Sequence, residues 1–324
     1  MRIFVYEHVT GGGCAGAALP AFLADGELMW RAMLDDLTAI PGVEVISLRD
    51  DRLAMPAIAG ARVIATRAST FADDFRRCLQ ASDAVWPVAP ECGGLLEALS
   101  EAVLRAGKRL LGSRPLGVRI AASKTATARH LAARGVAVIP VHASPYLMIE
   151  EGPVVMKPDD GAGCQDTRLF PSLEAAEDWT LTHACENLVF QPFVAGPARS
   201  LSLLCRDGYA QLLTVNRQHV SLNDGCFDFH GVSVNDLSDR DGRHADLADR
   251  VAAAMPDLWG HVGVDFIETP RGPVVVEVNP RLTASYAGLR ESLACNPARR
   301  LLDLPTFTAL PGRRPIRAEA AHVH

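Results

Sequence analysis

Apolar positions in the first third of the chain recur in two rhythms. Short β-branched runs at residues 2–6, 43–48, 62–66 and 83–88 predict strands. Between them, Met29, Ala32, Met33, Leu37 and Ile40 fall on one face of a helix predicted over 27–40. Leu95, Leu99 and Val103 do the same over 93–107. Alternation of this kind predicts a parallel sheet with helices packed on it, ending near residues 111–115.

Past that point the rhythm changes. Ser123 caps a helix that starts at Lys124 and stops at Gly135, and a strand is expected at 136–140. The segment VVMKPDDGAGC at 154–164 reads as a strand running into a glycine-containing loop. A helix over 173–184 then leads into a strand at 188–194. Strand signals dominate afterwards, at 200–205, 209–215, 262–268 and 273–278, with one helix near 246–255. Lobes are therefore expected at 1–114, 115–195 and 196–310, with residues 311–324 as a flexible tail. A chain of 324 residues exceeds the usual single core, which agrees with several lobes around a shared cleft.

Composition narrows the function. With 48% hydrophobic and 22% charged residues the chain is globular, and its net charge of −6 argues against sequence-independent nucleic-acid binding. No apolar run approaches a membrane span of about 18 residues. The start carries only Arg2 as a basic residue and reads as a strand rather than a signal peptide, so a cytoplasmic location is expected. Eight dispersed cysteines include no CxxC pair, and reduced thiols that mostly fill core are expected.

Gly11, Gly13 and Gly16 fit a dinucleotide fingerprint, after a strand and before a helix. A tight strand-to-helix turn needs glycine whatever it binds, and the pattern reads better as such a turn or as a substrate-lobe loop. More telling is Lys157 at a strand end before Gly161 and Gly163, where an ammonium and exposed backbone N–H groups can hold phosphate oxygens. By itself this also reads as a surface hairpin. The segment VVVEVNPRL at 274–282 shifts the balance: alternation puts Glu277 and Asn279 on one face. Asp265 is a charge inside the apolar strand VGVDFIE, which requires a partner. Two carboxylates and an amide oxygen make a hard oxygen site suited to magnesium completed by substrate phosphates; a structural salt bridge is the other reading.

Taken in order, Lys124, Lys157 with its glycine loop, the strand VFQPFV, DFIE and EVNPRL resemble the ATP-grasp superfamily over nearly the whole chain. The resemblance implies an α/β fold in which a pre-ATP-grasp parallel-sheet domain precedes two α+β lobes clasping ATP. It implies that Lys124, Lys157, Gly161 and Gly163 meet the ATP phosphates, that Gln191, Phe193 and Val194 form the adenine hinge, and that Asp265, Glu277 and Asn279 bind magnesium or manganese. Arg281 then lies against the transferred phosphoryl group, with Lys157 sharing the catalytic work. The segments VYEHVTGGG, DGELMWRAMLDDL, APECGGLLEAL and EVNPRLTASYAGL look like the tyramine–glutamate ligases of methanofuran biosynthesis and their bacterial relatives. That implies an ADP-forming enzyme which activates a carboxylate as an acyl phosphate and joins it to an amine. Its partners are then small molecules, namely ATP, an amino acid and an amine, with no nucleic acid and no membrane; a homo-oligomer is compatible with this. Asn216, Arg217, Ser285 and Tyr286 are candidate substrate contacts, with Tyr286 or Phe229 as an aromatic wall. One departure is Ala198, where many of these enzymes carry a ribose-contacting acid. Two other classes compete, a regulatory ATP-binding module without turnover and, on the glycine turn alone, an NAD-dependent oxidoreductase; within the family, a ligase for another amino acid or dipeptide is a further alternative.

Overall fold

The computed structural model describes residues 1–161, 164, 166–184 and 186–304, and the backbone of 321–323. The first sheet is built from β1 (Arg2–Glu7), β2 (Glu44–Asp50), β3 (Ala61–Thr66), β4 (Ala84–Val88) and β5 (Arg109–Leu110). All its pairings are parallel, in the order β3-β2-β1-β4-β5. Both faces are covered, because successive side chains of β1 go to opposite sides. Ile3 and Val5 pack with Trp30, Met33 and Leu37 of α1 (Leu23–Thr38), whereas Phe4 and Tyr6 pack with Cys78 and Leu79 of α2 (Phe71–Ala81) and Val103 of α3 (Leu95–Arg105). Helix α2 was not among the expected elements, although Phe71, Phe75, Cys78 and Leu79 carry helical spacing.

Next come α4 (Pro115–Ala122) and α5 (Lys124–Ala132), where Ser123 caps the second helix by accepting from the Ala126 amide at 3.0 Å. The strand expected at 136–140 is only an isolated bridge, Val138 to Val275. A small core of Val154, Met156, Phe170 and Phe190 lies under β6 (Val154–Pro158), β7 (Arg168–Phe170), α6 (Leu173–Thr180) and β8 (Leu188–Pro192).

Antiparallel strands follow: β9 (Ala198–Arg206), β10 (Tyr209–Asn223), β11 (Cys226–Leu237), then α7 (Arg243–Ala254), β12 (Gly260–Thr269) and β13 (Gly272–Asn279). They join the preceding strands in one sheet, ordered β13-β12-β9-β10-β11-β7-β6-β8. Two short helices, α8 (Leu289–Leu293) and α9 (Pro297–Asp303), return to the first sheet, and Leu289, Leu293 and Leu301 share a core with Trp30 and Leu37. The first and last thirds of the described chain are therefore packed together. Where a flexible tail was expected, β14 (Ala321–Val323) pairs with Val232–Val234 of β11, while residues 305–320 and 324 lie outside the described residues. Among the described residues no helix is long and apolar enough to cross a membrane. All seven described cysteines are free, with Cys78 and Cys205 buried and the other five only partly so.

Candidate active site

Residues from both sheets line a cavity of about 610 Å³. Its floor is the β12–β13 ladder, whose register sets Asp265 directly opposite Glu277. Adjacent carboxylates in an antiparallel pair repel each other, and like charges at such positions are destabilising. Burial, and then the neighbouring Glu277, push the Asp265 carboxyl well above the usual carboxylate range. Asn279 donates to Asp265 Oδ2 at 3.3 Å, and the Gln218 side chain also bonds to it. Two acids forced together with an amide beside them form a hard oxygen donor set, and a divalent cation of the magnesium type would remove their mutual repulsion. The residues present thus fit the metal expected from sequence.

Lys157 ends β6 and is only 6% exposed. Burial first, and then the nearby Lys124, lower its pKa to about 8 against the opposing pull of Glu277. The Lys124 ammonium donates to the Gly161 carbonyl at 2.7 Å and lies 3.8 Å from Glu277 Oε2, so it stands just behind the cavity wall and holds the start of the glycine loop. Gly163 lies outside the described residues. Arg281 lines the cavity with its guanidinium held by Glu91, Nη2 donating to Oε2 at 3.1 Å and Nε lying 3.0 Å from Oε1.

Gln191, Phe193 and Val194 line the cavity at the end of β8, as do Ala198 and Ile267, and the Gln191 side chain donates to the Ile139 carbonyl at 3.4 Å. Ser285 and Phe229 also reach it. Three candidate substrate contacts do not. Asn216 is fully buried and donates to Ser200 and Ser202 at 3.2 and 3.0 Å, so its amide is spent on holding β9 to β10. Arg217 donates to Asp236 at 2.9 Å, a carboxylate it shares with Arg199, and lies outside the cavity. Tyr286 is 2% exposed, packs edge-on to Trp86 and His261, and donates its hydroxyl to Asp36 at 2.7 Å. By these contacts each is tied to the fold, and none of the three is among the residues lining the cavity.

The glycine turn is likewise accounted for by packing. A Cβ on Gly11 would sit 2.5 Å from the Glu7 carbonyl oxygen, and one on Gly13 would run into the His8 ring. Neither glycine lines the cavity. Glu7 and Asp25, not among the expected site residues, do line it, and Glu91, likewise unexpected, holds Arg281. The signal was present as a charge, Glu7, at the end of the apolar strand RIFVYE.

With this geometry in place, the class of protein is settled by family comparison. Residues 121–285, half of the chain, match the ATP-grasp domain family and residues 43–118 match the pre ATP-grasp 3 domain, so the chain belongs to the ATP-grasp family. Members of that family use ATP with magnesium, and its ligases form ADP. A curated relative, the tyramine–L-glutamate ligase of Methanocaldococcus jannaschii, is 30% identical over 105 residues; the match spans 32% of this chain and 32% of that relative's length. Among solved structures, an ATP-grasp superfamily protein from Archaeoglobus fulgidus aligns with a TM-score of 0.73 at 21% identity, covering 93% of this chain and 88% of that one. An L-amino acid ligase from Bacillus licheniformis aligns with a TM-score of 0.66 at 14% identity, covering 93% and 73%. At such identities these structures speak for the fold alone.

Proposed function

We propose that this chain is a carboxylate–amine ligase that transfers the γ-phosphoryl group of ATP to a carboxylate and joins the resulting acyl phosphate to an amine. The observation that carries the reading is the convergence, in one cavity, of Lys157, the facing Asp265 and Glu277 with Asn279, and Arg281. A non-catalytic ATP sensor has no need of the last of these beside a complete metal site.

In this reading Asp265, Glu277 and Asn279 hold magnesium, which screens the phosphate charge when bound. Lys157 and Arg281 offset the negative charge on the phosphoryl oxygens, and Lys124 holds the Gly161 carbonyl where the glycine loop begins. Gln191, Phe193 and Val194 receive the adenine. Cavity walls of Ile139, Val155, Phe266 and Ile267 are apolar, which keeps water from an acyl phosphate that it would otherwise hydrolyse. For the substrates we propose the γ-carboxylate of glutamate and, as acceptor, tyramine or a tyrosine-like amine in methanofuran-type cofactor biosynthesis; the curated relative's name and the aromatic Phe229 in the cavity wall support this.

The test is a matrix of amino acids against amines, scored for ADP release and product mass. Glutamate with an aromatic amine is expected to give a γ-glutamyl amide. A product formed only with D-alanine or aliphatic amines would overturn the substrate assignment while leaving a ligase.

A further inference from the structure

The strand order of the first sheet reverses between β1 and β4, since β2 and β3 lie on one side of β1 and β5 lies beyond β4. In open parallel sheets the crevice outside the carboxyl ends at such a reversal is where ligands bind. Here that crevice is one end of the cavity: Glu7 closes β1, Val88 closes β4, and Ala89 and Pro90 follow it. Glu7 is 2% exposed, yet it lines the cavity. Its carboxylate accepts from the Val9 and Thr10 amides at 3.2 and 2.7 Å. It also lies against the first turn of α1, where a Cβ on Gly26 would sit 3.0 Å from Glu7 Oε2. Asp25, the residue before that glycine, lines the same end.

Among the described residues neither carboxylate has an ion-pair partner within 4 Å. The cation whose charge acts on both is Arg281, and that guanidinium is ion-paired with Glu91. A third cavity carboxylate, Asp228, is satisfied by the Asn223 amide at 2.9 Å. Burying a carboxylate without a counter-charge is costly, and both acids are pushed up by burial. Beside them stand Phe22, Met29 and Phe229, an apolar wall. The only cations among the described lining residues are Lys157 and Arg281.

Building on the ligase reading above, we propose that this end of the cavity is the acceptor subsite. Glu7 and Asp25 hold the substrate ammonium there, the wall of Phe22, Met29 and Phe229 receives its apolar body, and the acceptor is an amine that carries no carboxylate. The charge set selects by sign: an ammonium supplies the missing counter-ion, whereas an amino acid would bring a second carboxylate against two that are already unpaired.

The experiment measures ADP release and amide formation with tyramine, tyrosine and hydroxylamine, using whichever carboxylate donor supports hydroxamate formation. Hydroxylamine is uncharged at neutral pH and intercepts an acyl phosphate without an ammonium subsite. Wild-type enzyme should use tyramine at least about tenfold more efficiently than tyrosine. Asp25→Asn should raise the ratio of KM for tyramine to KM for hydroxylamine by about tenfold or more, with Asp25→Glu recovering most of it. Glu7→Gln, a buried change, is checked by calorimetric titration of tyramine into folded enzyme with a non-hydrolysable ATP analogue, and should weaken binding similarly. Equal use of tyrosine and tyramine, an unchanged ratio in Asp25→Asn, or a rise confined to KM for the donor would overturn the subsite while hydroxamate formation upholds the ligase. Absence of hydroxamate with every donor would overturn the ligase reading and this inference with it.

Discussion

Glu277 bears the account's sharpest demand on a single residue. Glu277→Gln keeps the side chain's shape and removes a charge that the metal requires, so the variant should fold and lose most turnover. Activity within about threefold of wild type, some 0.65 kcal/mol in the barrier, would show that the metal assignment is wrong. Lys157 gives a second residue-scale prediction. Its pKa near 8 in the free enzyme lies below the ordinary lysine value because burial disfavours the ammonium, and ATP phosphates favour that same ammonium. Binding of ATP at about pH 8.5 should therefore take up a fraction of a proton, with affinity weakening as pH rises through 8. Calorimetry in two buffers of different ionisation enthalpy measures this, and zero uptake would contradict it. The carboxylates of β12 and β13 were legible in sequence because a charge inside an apolar strand is anomalous. Glu7 and Asp25 were not recognised, because only the β1–β4 neighbourhood brings residues from opposite ends of a helical turn and a strand to one crevice.

Strand β11, like α2, is not among the elements expected from sequence, and for β11 the reasons are local. It carries polar residues on alternate positions, Gly231 and Asn235 at positive φ, and register shifts against β10 between Val215 and Arg217 and between His219 and Val220. Bulges of this kind break the period-two pattern from which a strand is read. Strand β12, by contrast, was legible from its apolar run, but the burial of its His261 was not. That ring is stacked on Trp86 at 5.9 Å and bonds to the Pro297 carbonyl at 3.2 Å, joining the first sheet to α9. Burial lowers its pKa to about 4. The unfolded chain therefore binds a proton at a higher pH than the folded one, and this site's contribution is complete above pH 6.5 and lost as pH falls towards 4. Two and a half units correspond to about 3 kcal/mol. Urea denaturation between pH 4 and 7 should show this slope, and His261→Gln should flatten it; an unchanged slope would contradict the assignment. The joint from α1 to the C-terminal segment offers a related test. Asp36 accepts from Tyr286 and Arg290, so Tyr286→Phe should cost roughly 1–3 kcal/mol of stability, with turnover per folded molecule near wild type. A large change in KM would return Tyr286 to the list of substrate contacts.

At the scale of the whole molecule, the core of α1 runs into the helices that follow β13, and the cavity takes its walls from both sheets. The parallel first sheet and the antiparallel second were legible because the apolar rhythm changes near residue 111. How they come together was not, since contacts such as Asp36 to Tyr286 span the length of the chain. Their meeting brings Glu7 and Asp25 into the same cavity as Lys157, Arg281, Asp265 and Glu277, the arrangement that the proposed reaction of three substrates requires. The most direct test of that claim is the stoichiometry of nucleotide products, read by phosphorus NMR during turnover with glutamate, tyramine and magnesium. ADP and inorganic phosphate are expected in equal amounts with one amide formed for each; AMP with pyrophosphate would rule out the acyl phosphate.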